Sequence, residues 1–341
     1  MNGPGKNIHE LLRERGLPKL RSISFDCTTA CNLRCSHCYL TPQQRADTHA
    51  MLDVSRFSAL LPILARSGCF EMRFVGGEPL LHPQFDKLYY AAKKAGLFVV
   101  VYTNGTLLTR KWVEFFHRYP INQLVISMYG ASDAEYQVLS STREGNLFSR
   151  LVSLIREIEA SRLDMKIQCR IFKDKLDLPE RLARVLNREH VPASIVVYPR
   201  PHDKKNMKNM PAVSLLNKNS TKKHAAVKSR LRDIIAPLGL RVGCGAGLTN
   251  VHVTVDWCMK ACYFLEDIRV PFTPDTFEQV FYDKLPMLIA GEIAAESACA
   301  QCPEDLVARC ARCAVLGYGA KEYREERDIL CYRAQHDIWE L

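Results

Sequence analysis

The feature of this sequence that most constrains its fold is a regular alternation of two textures between residue 21 and about residue 200. Six short runs rich in Val, Ile and Phe are separated by five longer runs with helical spacing of apolar residues. The predicted strands are 21–27, 71–77, 97–105, 122–130, 165–173 and 193–201, and the predicted helices are 54–68, 82–96, 110–120, 146–162 and 178–190. Strand–helix–strand units of this kind join parallel strands by right-handed crossovers, so the sequence predicts an α/β fold with a parallel sheet.

In parallel α/β folds, functional residues lie at the C-terminal ends of the strands. Four conspicuous segments directly follow predicted strands: CTTACNLRCSHCYL at 27–40, GGEP at 76–79, TNG at 103–105 and SMYG at 127–130. We therefore expect these four segments to converge at one mouth of the sheet.

The chain contains 14 cysteines, and the cellular compartment decides what they mean. No run approaches the ~18 apolar residues of a membrane helix, and the N-terminus lacks the apolar core of a signal peptide. We therefore expect a cytoplasmic protein that is not associated with a membrane. Clustered thiols in a reducing compartment bind metal or do chemistry more often than they form disulfides.

The densest cysteine group is the C-x3-C-x2-C motif of Cys31, Cys35 and Cys38. Three thiolates on one loop can hold three corners of a [4Fe–4S] cube and leave the fourth iron open to a small molecule. The alternatives are a zinc site that recruits His37 or His49, and thiols scattered by chance. Cys27 lies too early to join this group and is expected to be a buried thiol.

The segment CNLRCSHCY, together with GGEP, YTNG at 102–105 and the alternating strands, resembles the radical S-adenosylmethionine (radical SAM) superfamily. The resemblance implies a partial (β/α)6 TIM-like barrel whose open iron chelates S-adenosylmethionine. It also implies reductive cleavage of that cofactor to a 5′-deoxyadenosyl radical, which abstracts a hydrogen atom from a substrate. The electron would come from a reducing partner such as flavodoxin or ferredoxin.

The resemblance further implies a set of cofactor-binding residues: His37, Gly76, Gly77, Glu78, Pro79, Asn104, Ser127 and Arg143. The GGEP segment would hold the methionine amino group, with Glu78 as its charged member. His37 would lie against the adenine, and the last three residues would contact the ribose and the carboxylate. Simple turn chemistry for GGEP, and exposed loop positions for the other polar residues, are the alternatives.

A second cysteine group occupies the C-terminal region and consists of Cys244, Cys258, Cys262, Cys299, Cys302, Cys310, Cys313 and Cys331. Two closed [4Fe–4S] clusters need eight thiolates. VDWCMKACYF at 255–264 and CAQC at 299–302 resemble the SPASM extension of the same superfamily, which carries two auxiliary clusters. By that resemblance, one cluster takes Cys299, Cys302, Cys310 and Cys331, and the other takes Cys244, Cys258, Cys262 and Cys313.

The C-terminal region also departs from the SPASM pattern. Trp257 stands where the family usually has Gly, Cys258 is additional, and the spacing of the later cysteines differs. The alternative is a zinc ribbon built from the two C-x2-C pairs.

The expected domain organisation is an N-terminal extension (1–20), the radical SAM partial barrel (21–200), a basic connector with a helix (201–243) and a cysteine-rich SPASM-type domain (244–341). The connector contains no aromatic residue that could stack on a base, which argues against binding of single-stranded nucleic acid.

The substrate is open between two classes. Many SPASM-bearing relatives modify peptides, which favours a peptide substrate, whereas the short N-terminal extension weakens it because it is too short for a winged peptide-binding domain. The other class is a small polar molecule, such as a sugar, aminocyclitol or nucleoside, that is oxidised, epimerised or decarboxylated. A non-enzymatic iron–sulfur or nucleic-acid-binding scaffold is a third hypothesis. Cys169, on a predicted strand, is either a hydrogen donor to the substrate radical or a small core residue.

Overall fold

The structure is a computed structural model of the 341-residue chain, and it describes residues 19–35, 37–160, 163–171, 177–189, 195–199, 246–262 and 268–288. None of the helices among these residues combines the length and the apolar character that crossing a bilayer requires.

The centre of the fold is a nine-stranded sheet in the order β6-β5-β4-β3-β2-β1-β7-β8-β9. Its strands are β1 (Ser22–Asp26), β2 (Glu71–Val75), β3 (Phe98–Thr103), β4 (Gln123–Met128), β5 (Met165–Ile171), β6 (Ile195–Pro199), β7 (Asn250–Val253), β8 (Cys258–Lys260) and β9 (Arg269–Pro271). All pairs from β6 through β1 to β7 are parallel, whereas β7–β8 and β8–β9 are antiparallel. The six predicted strands and the parallel sheet are confirmed, and the architecture is the expected α/β partial barrel.

Seven helices of five or more residues follow these strands in the described part of the barrel. They are α1 (Pro42–Ala46), α2 (Val54–Arg66), α3 (Phe85–Lys94), α4 (Arg110–Arg118), α5 (Asp133–Ser140), α6 (Leu147–Ala160) and α7 (Leu178–Arg188). All five predicted helices are present. Helices α1 and α5 were not predicted. The sequence does carry a signal for α5, because the Ser132 side chain accepts a hydrogen bond from the Glu135 N–H and so caps the helix.

The two faces of the sheet differ in polarity, and this difference positions the site. Alternate residues such as Ile23, Phe74 and Val101 are fully buried in the core with residues of the helices. Because successive side chains of a strand point to opposite faces, the residues between them face the barrel interior. These inner positions are largely polar, and they include Ser24, Asp26, Arg73, Tyr102, Ser127 and Gln168. The interior of the barrel is therefore suited to a polar ligand.

The predicted boundary at residue 244 does not separate two sheets. Strand β7 pairs with β1 over Ser22–Phe25, and β8 and β9 continue the same sheet. Trp257, between β7 and β8, has a positive φ of 62°. The Arg56 guanidinium of α2 lies over the Trp257 ring, 4.3 Å from the ring centroid. This packing gives Trp257 a structural role at a position where the SPASM pattern usually has Gly.

Candidate active site

A cavity of about 250 Å³ opens at the C-terminal ends of the strands, where the sequence predicted the site. The cysteine loop, GGEP, TNG and SMYG segments all contribute to its lining, so their predicted convergence is confirmed. The lining residues are Ser24, Cys31, Leu33, Cys35, His37, Cys38, Tyr39, Arg73, Val75, Gly76, Gly77, Tyr102, Thr103, Asn104, Ser127, Tyr129 and Gln168.

The three thiols of the motif lie together on one part of this lining. Cys31 is held by its surroundings, because its sulfur is 3.4 Å from the Leu33 nitrogen and 3.8 Å from Asn104 Nδ2. Burial, with smaller contributions from the charges of Glu78 and Cys38, raises the pKa of Cys31 to about 11. Burial, followed by the charges of Cys31 and Cys38, also raises the pKa of Cys35 far above its ordinary value.

The donor set of this loop fits a [4Fe–4S] cluster. Cys31 and Cys35 are partly buried, and the charges of neighbouring thiols help to raise the pKa of each, so both are costly as thiolates unless cationic metal neutralises them. Within the described parts of the chain, no three His, Cys, Asp or Glu side chains surround a point where a single metal ion would bind. A four-iron cluster does not require such a point, since each of its cysteines ligates a different iron.

The two glycines of GGEP bring the end of β2 against the start of the cysteine loop. The Gly77 N–H donates to the Thr28 carbonyl at 2.7 Å, and the Glu78 N–H donates to the Ala30 carbonyl at 2.8 Å. A Cβ on Gly77 would lie 2.5 Å from the Ala30 carbonyl carbon and 2.7 Å from the Thr29 oxygen. The absence of a Cβ on Gly77 therefore lets the backbone of 28–30 approach closely.

Glu78 is fully buried, and its carboxylate faces the end of β3 rather than the cavity lining. Its oxygens accept hydrogen bonds from the Thr103 hydroxyl (2.7 Å), the Asn104 N–H (2.7 Å) and the Leu80 N–H (3.2 Å). Burial raises the pKa of Glu78 to about 7, and these three hydrogen bonds partly offset that rise. Glu78 therefore joins GGEP to the TNG segment, and its predicted contact with the methionine amino group stays a prediction.

The raised pKa of Glu78 predicts a specific dependence of stability on pH. Its pKa is about 7 in the folded chain and near the ordinary 4.5 in the unfolded chain, so the folded state binds the extra proton between these values. This contribution is complete below pH 4.5 and is lost as the pH rises through 7, at a cost of about 3 kcal/mol. We expect the free energy of unfolding of the cluster-free wild type to fall, relative to that of E78Q, from pH 4.5 to 7.5. Parallel pH curves for the two proteins in denaturant titrations would contradict this.

The other predicted cofactor contacts divide into two groups. His37, Asn104 and Ser127 line the cavity, and the His37 ring packs edge-on to Tyr129 with centroids 4.2 Å apart. Pro79 begins a short 3-10 helix and is absent from the lining, and Arg143 is exposed and does not line the cavity. The structure therefore brings His37, Asn104 and Ser127 together with the cysteines, but it does not place Arg143 there.

Cys169 lies on the helix-facing side of β5 and belongs to the apolar core. Burial raises the pKa of its thiol to about 12. Its neighbour Gln168 points to the opposite face and lines the cavity beside Ser127, its register partner on β4. This geometry does not support Cys169 as a hydrogen donor in the cavity and agrees with the alternative of a core residue.

Several polar residues of the cavity were not predicted from the sequence. They are Ser24, Tyr39, Arg73, Tyr102, Tyr129 and Gln168. The sequence does contain a signal for these residues. Polar residues recur at every second position of otherwise apolar strands, which places them together on the inner face. Gln168 Oε1 is buried and has no hydrogen-bond partner among the residues that the structure describes.

Only two of the eight C-terminal cysteines lie within the described residues. Cys258 is buried on β8, with its sulfur 3.4 Å from Arg269 Nη2, and Cys262 is half-buried just beyond that strand. The other six predicted auxiliary-cluster ligands lie outside the described residues: Cys244, Cys299, Cys302, Cys310, Cys313 and Cys331.

Comparison with known families agrees with this geometry. Residues 26–171, which contain the cysteine loop, GGEP, TNG and strands β2–β5, match the Radical SAM superfamily. Residues 26–171 thus form a radical SAM domain. The three cysteines and the glycine pair of this radical SAM domain lie in one cavity, as the resemblance implied.

Two curated relatives show how far the similarity extends. The GTP 3',8-cyclase of Chlorobaculum tepidum is 45% identical over 92 residues, which are 26% of this chain and 27% of that protein. The PqqA peptide cyclase of Gluconobacter oxydans is 25% identical over 163 residues, which are 48% of this chain and 45% of that protein. The chain thus spans less than half the length of each relative.

Among solved structures, the chain resembles SuiB of Streptococcus suis bound to the precursor peptide SuiA. The TM-score is 0.64 at 15% identity, and the match covers 95% of this chain and 81% of SuiB. SuiB bound to S-adenosylmethionine gives a TM-score of 0.65 at 15% identity, covering 92% of this chain and 78% of SuiB. At this identity, the likeness establishes the fold.

Proposed function

We propose that this protein is a radical SAM enzyme that cleaves S-adenosylmethionine reductively and modifies a peptide or protein substrate by hydrogen-atom abstraction. The observation that carries the proposal is that Cys31, Cys35 and Cys38 line the same cavity as Gly76, Gly77 and Asn104. The thiol donors and the glycine backbone of GGEP thus line one cavity at the mouth of a polar partial barrel.

The residues of the cavity have separate tasks in this proposal. Cys31, Cys35 and Cys38 would hold a [4Fe–4S] cluster, which when bound would supply the electron for reductive cleavage of S-adenosylmethionine. Asn104, in the TNG segment, contacts the Cys31 sulfur and also donates to Asn32 Oδ1 at 2.9 Å. These two contacts hold the cysteine loop against the end of β3. The His37 and Tyr129 rings offer an aromatic wall suited to adenine.

The choice of a peptide substrate rests on the relatives and on the polar interior. One relative is named a peptide cyclase, and a structural neighbour holds a precursor peptide. On the inner face, Tyr102 and Gln168 present hydroxyl and amide groups to the cavity, and the unsatisfied Gln168 Oε1 can accept an N–H of a peptide backbone. A small polar substrate is the competing proposal, because a GTP 3',8-cyclase is 45% identical to this chain over 92 residues.

Two auxiliary [4Fe–4S] clusters complete the proposal, with Cys258 and Cys262 among their ligands. Flavodoxin or ferredoxin is the proposed source of electrons. We expect anaerobically reconstituted protein to bind about twelve irons if three four-iron clusters form. About four irons together with bound zinc would contradict the auxiliary clusters and leave the first site intact.

A direct experiment tests the proposed reaction and then its substrate class. We expect dithionite-reduced, reconstituted protein to convert S-adenosylmethionine into 5′-deoxyadenosine and methionine, detected by liquid chromatography. Adding peptides encoded beside the gene should increase 5′-deoxyadenosine and change the peptide mass, whereas GTP serves as the matched small-molecule probe. No cofactor cleavage would contradict the reaction, and a change in GTP alone would contradict the peptide substrate.

A further inference from the structure

A buried network of hydrogen bonds connects strand β7 to the end of the cysteine loop. His252 on β7 and Asp26 at the end of β1 are both almost inaccessible, with His252 Nε2 and Asp26 Oδ2 3.1 Å apart. The Tyr39 hydroxyl donates to the other carboxylate oxygen, Asp26 Oδ1, at 2.6 Å. Ser24 Oγ lies 2.9 Å from His252 Nδ1.

The donors and acceptors of this network are mutually consistent. Asp26 accepts from Tyr39 and from His252 Nε2–H, which leaves Nδ1 to accept from the Ser24 hydroxyl. The Tyr39 oxygen also lies 3.3 Å from the carbonyl oxygen of Gly76, the first residue of GGEP. One phenol therefore contacts β1 and GGEP at once, directly after the third cysteine in sequence.

The network spans two parts of the chain that are far apart in sequence. The radical SAM family match ends at residue 171, whereas His252 lies beyond it on the strand that precedes Cys258 and Cys262. Tyr39 and Ser24 line the cavity, and Asp26 and His252 stand behind them. A buried acceptor that orients a cavity residue fixes its position more firmly than solvent can.

We propose that Tyr39, Asp26 and His252 are positioning residues that hold the Cys38 end of the cluster loop, so that strand β7 helps to shape the cofactor pocket. This inference rests on the proposed function. The hydroxyl of Tyr39 fixes its ring as a wall of the pocket, and His252 keeps the Asp26 carboxylate aimed at that hydroxyl. Loss of either contact lets the wall and the cysteine beside it move.

The variant Y39F tests this inference because it removes only the hydroxyl. Y89F is the matched control, since the buried Tyr89 donates its hydroxyl to the Tyr119 carbonyl at 2.8 Å and lies outside the cavity. We expect Y39F and H252L to weaken S-adenosylmethionine binding about tenfold or more and to alter the change that the cofactor causes in the electron paramagnetic resonance spectrum of the reduced cluster. Y89F should match wild type in both measurements. Both Y89F and Y39F should lower the melting temperature of the cluster-free chain by a similar amount.

A conservative variant adds a rescue test. In D26N the amide oxygen can still accept the hydrogen bond from the Tyr39 hydroxyl. The amide NH2 can donate to His252 Nε2 if the imidazole proton of His252 moves to Nδ1, where it faces Ser24 Oγ. D26N should therefore retain cofactor affinity within about threefold, whereas D26L should lose it as Y39F does. Y39F indistinguishable from wild type in affinity and spectrum would overturn the network alone. Wild-type protein without a reducible cluster would overturn the proposed function itself, and the network with it.

Discussion

Replacing Cys31, Cys35 and Cys38 together by Ala is expected to reduce 5′-deoxyadenosine formation to background. The three thiols lie on one cavity lining, and no other cysteine among the described residues contributes to that lining. Without them the first cluster has no ligands, so the electron has no path to the sulfonium. Reconstituted triple variant should also hold about four fewer irons than wild type.

The matched control for this experiment is a triple variant of cysteines outside the cavity: Cys27, Cys69 and Cys169. These three are buried, and burial is the main cause that raises the pKa of each thiol. Replacing them by Ala should lower stability, because each belongs to the core, but it should leave the iron count unchanged. Cofactor cleavage by the Cys31/Cys35/Cys38 variant at the wild-type rate would refute the open-cluster mechanism.

The second large effect is expected from G77A. A Cβ at this position meets the backbone of Thr29 and Ala30, and backbone cannot move aside as a flexible side chain does. The substitution should therefore displace the start of the cysteine loop from β2 and cost more than about 3 kcal/mol of stability. Cluster-free G77A should unfold at a clearly lower denaturant concentration than wild type, and the reconstituted variant should hold less iron.

G145A is the control for the conformational cost of replacing a glycine. A Cβ on Gly145 would have Gln137 Nε2 at 3.7 Å as its nearest neighbour, which is an ordinary contact. This variant should unfold within about 0.5 kcal/mol of wild type. Equal stability of G77A and G145A would show that the close approach of β2 to residues 28–30 is not required.

Stretches with strong local signals were predictable from sequence. The apolar runs between Ser22 and Pro199 predicted the parallel strands, because burial of a strand determines where its apolar residues recur. The cysteine loop was predictable because its three thiols are close in sequence, so its chemistry does not depend on distant contacts. The helix Asp133–Ser140 was missed because eight residues give too short a period to recognise without its Ser132 cap.

The sequence by itself determined the parallel α/β order, the cysteine loop and the convergence of loops at one mouth, because these follow from local periodicity and spacing. The period of two indicated which residues share a face of a strand, but only the tertiary structure showed that the face of Gln168 lines the cavity and that Cys169 lies in the core. It also joined His252 to Asp26 across 226 residues of sequence, and it turned Glu78 toward Thr103 and Asn104. Such contacts depend on strand pairing and burial between distant segments, which no local pattern of residues encodes.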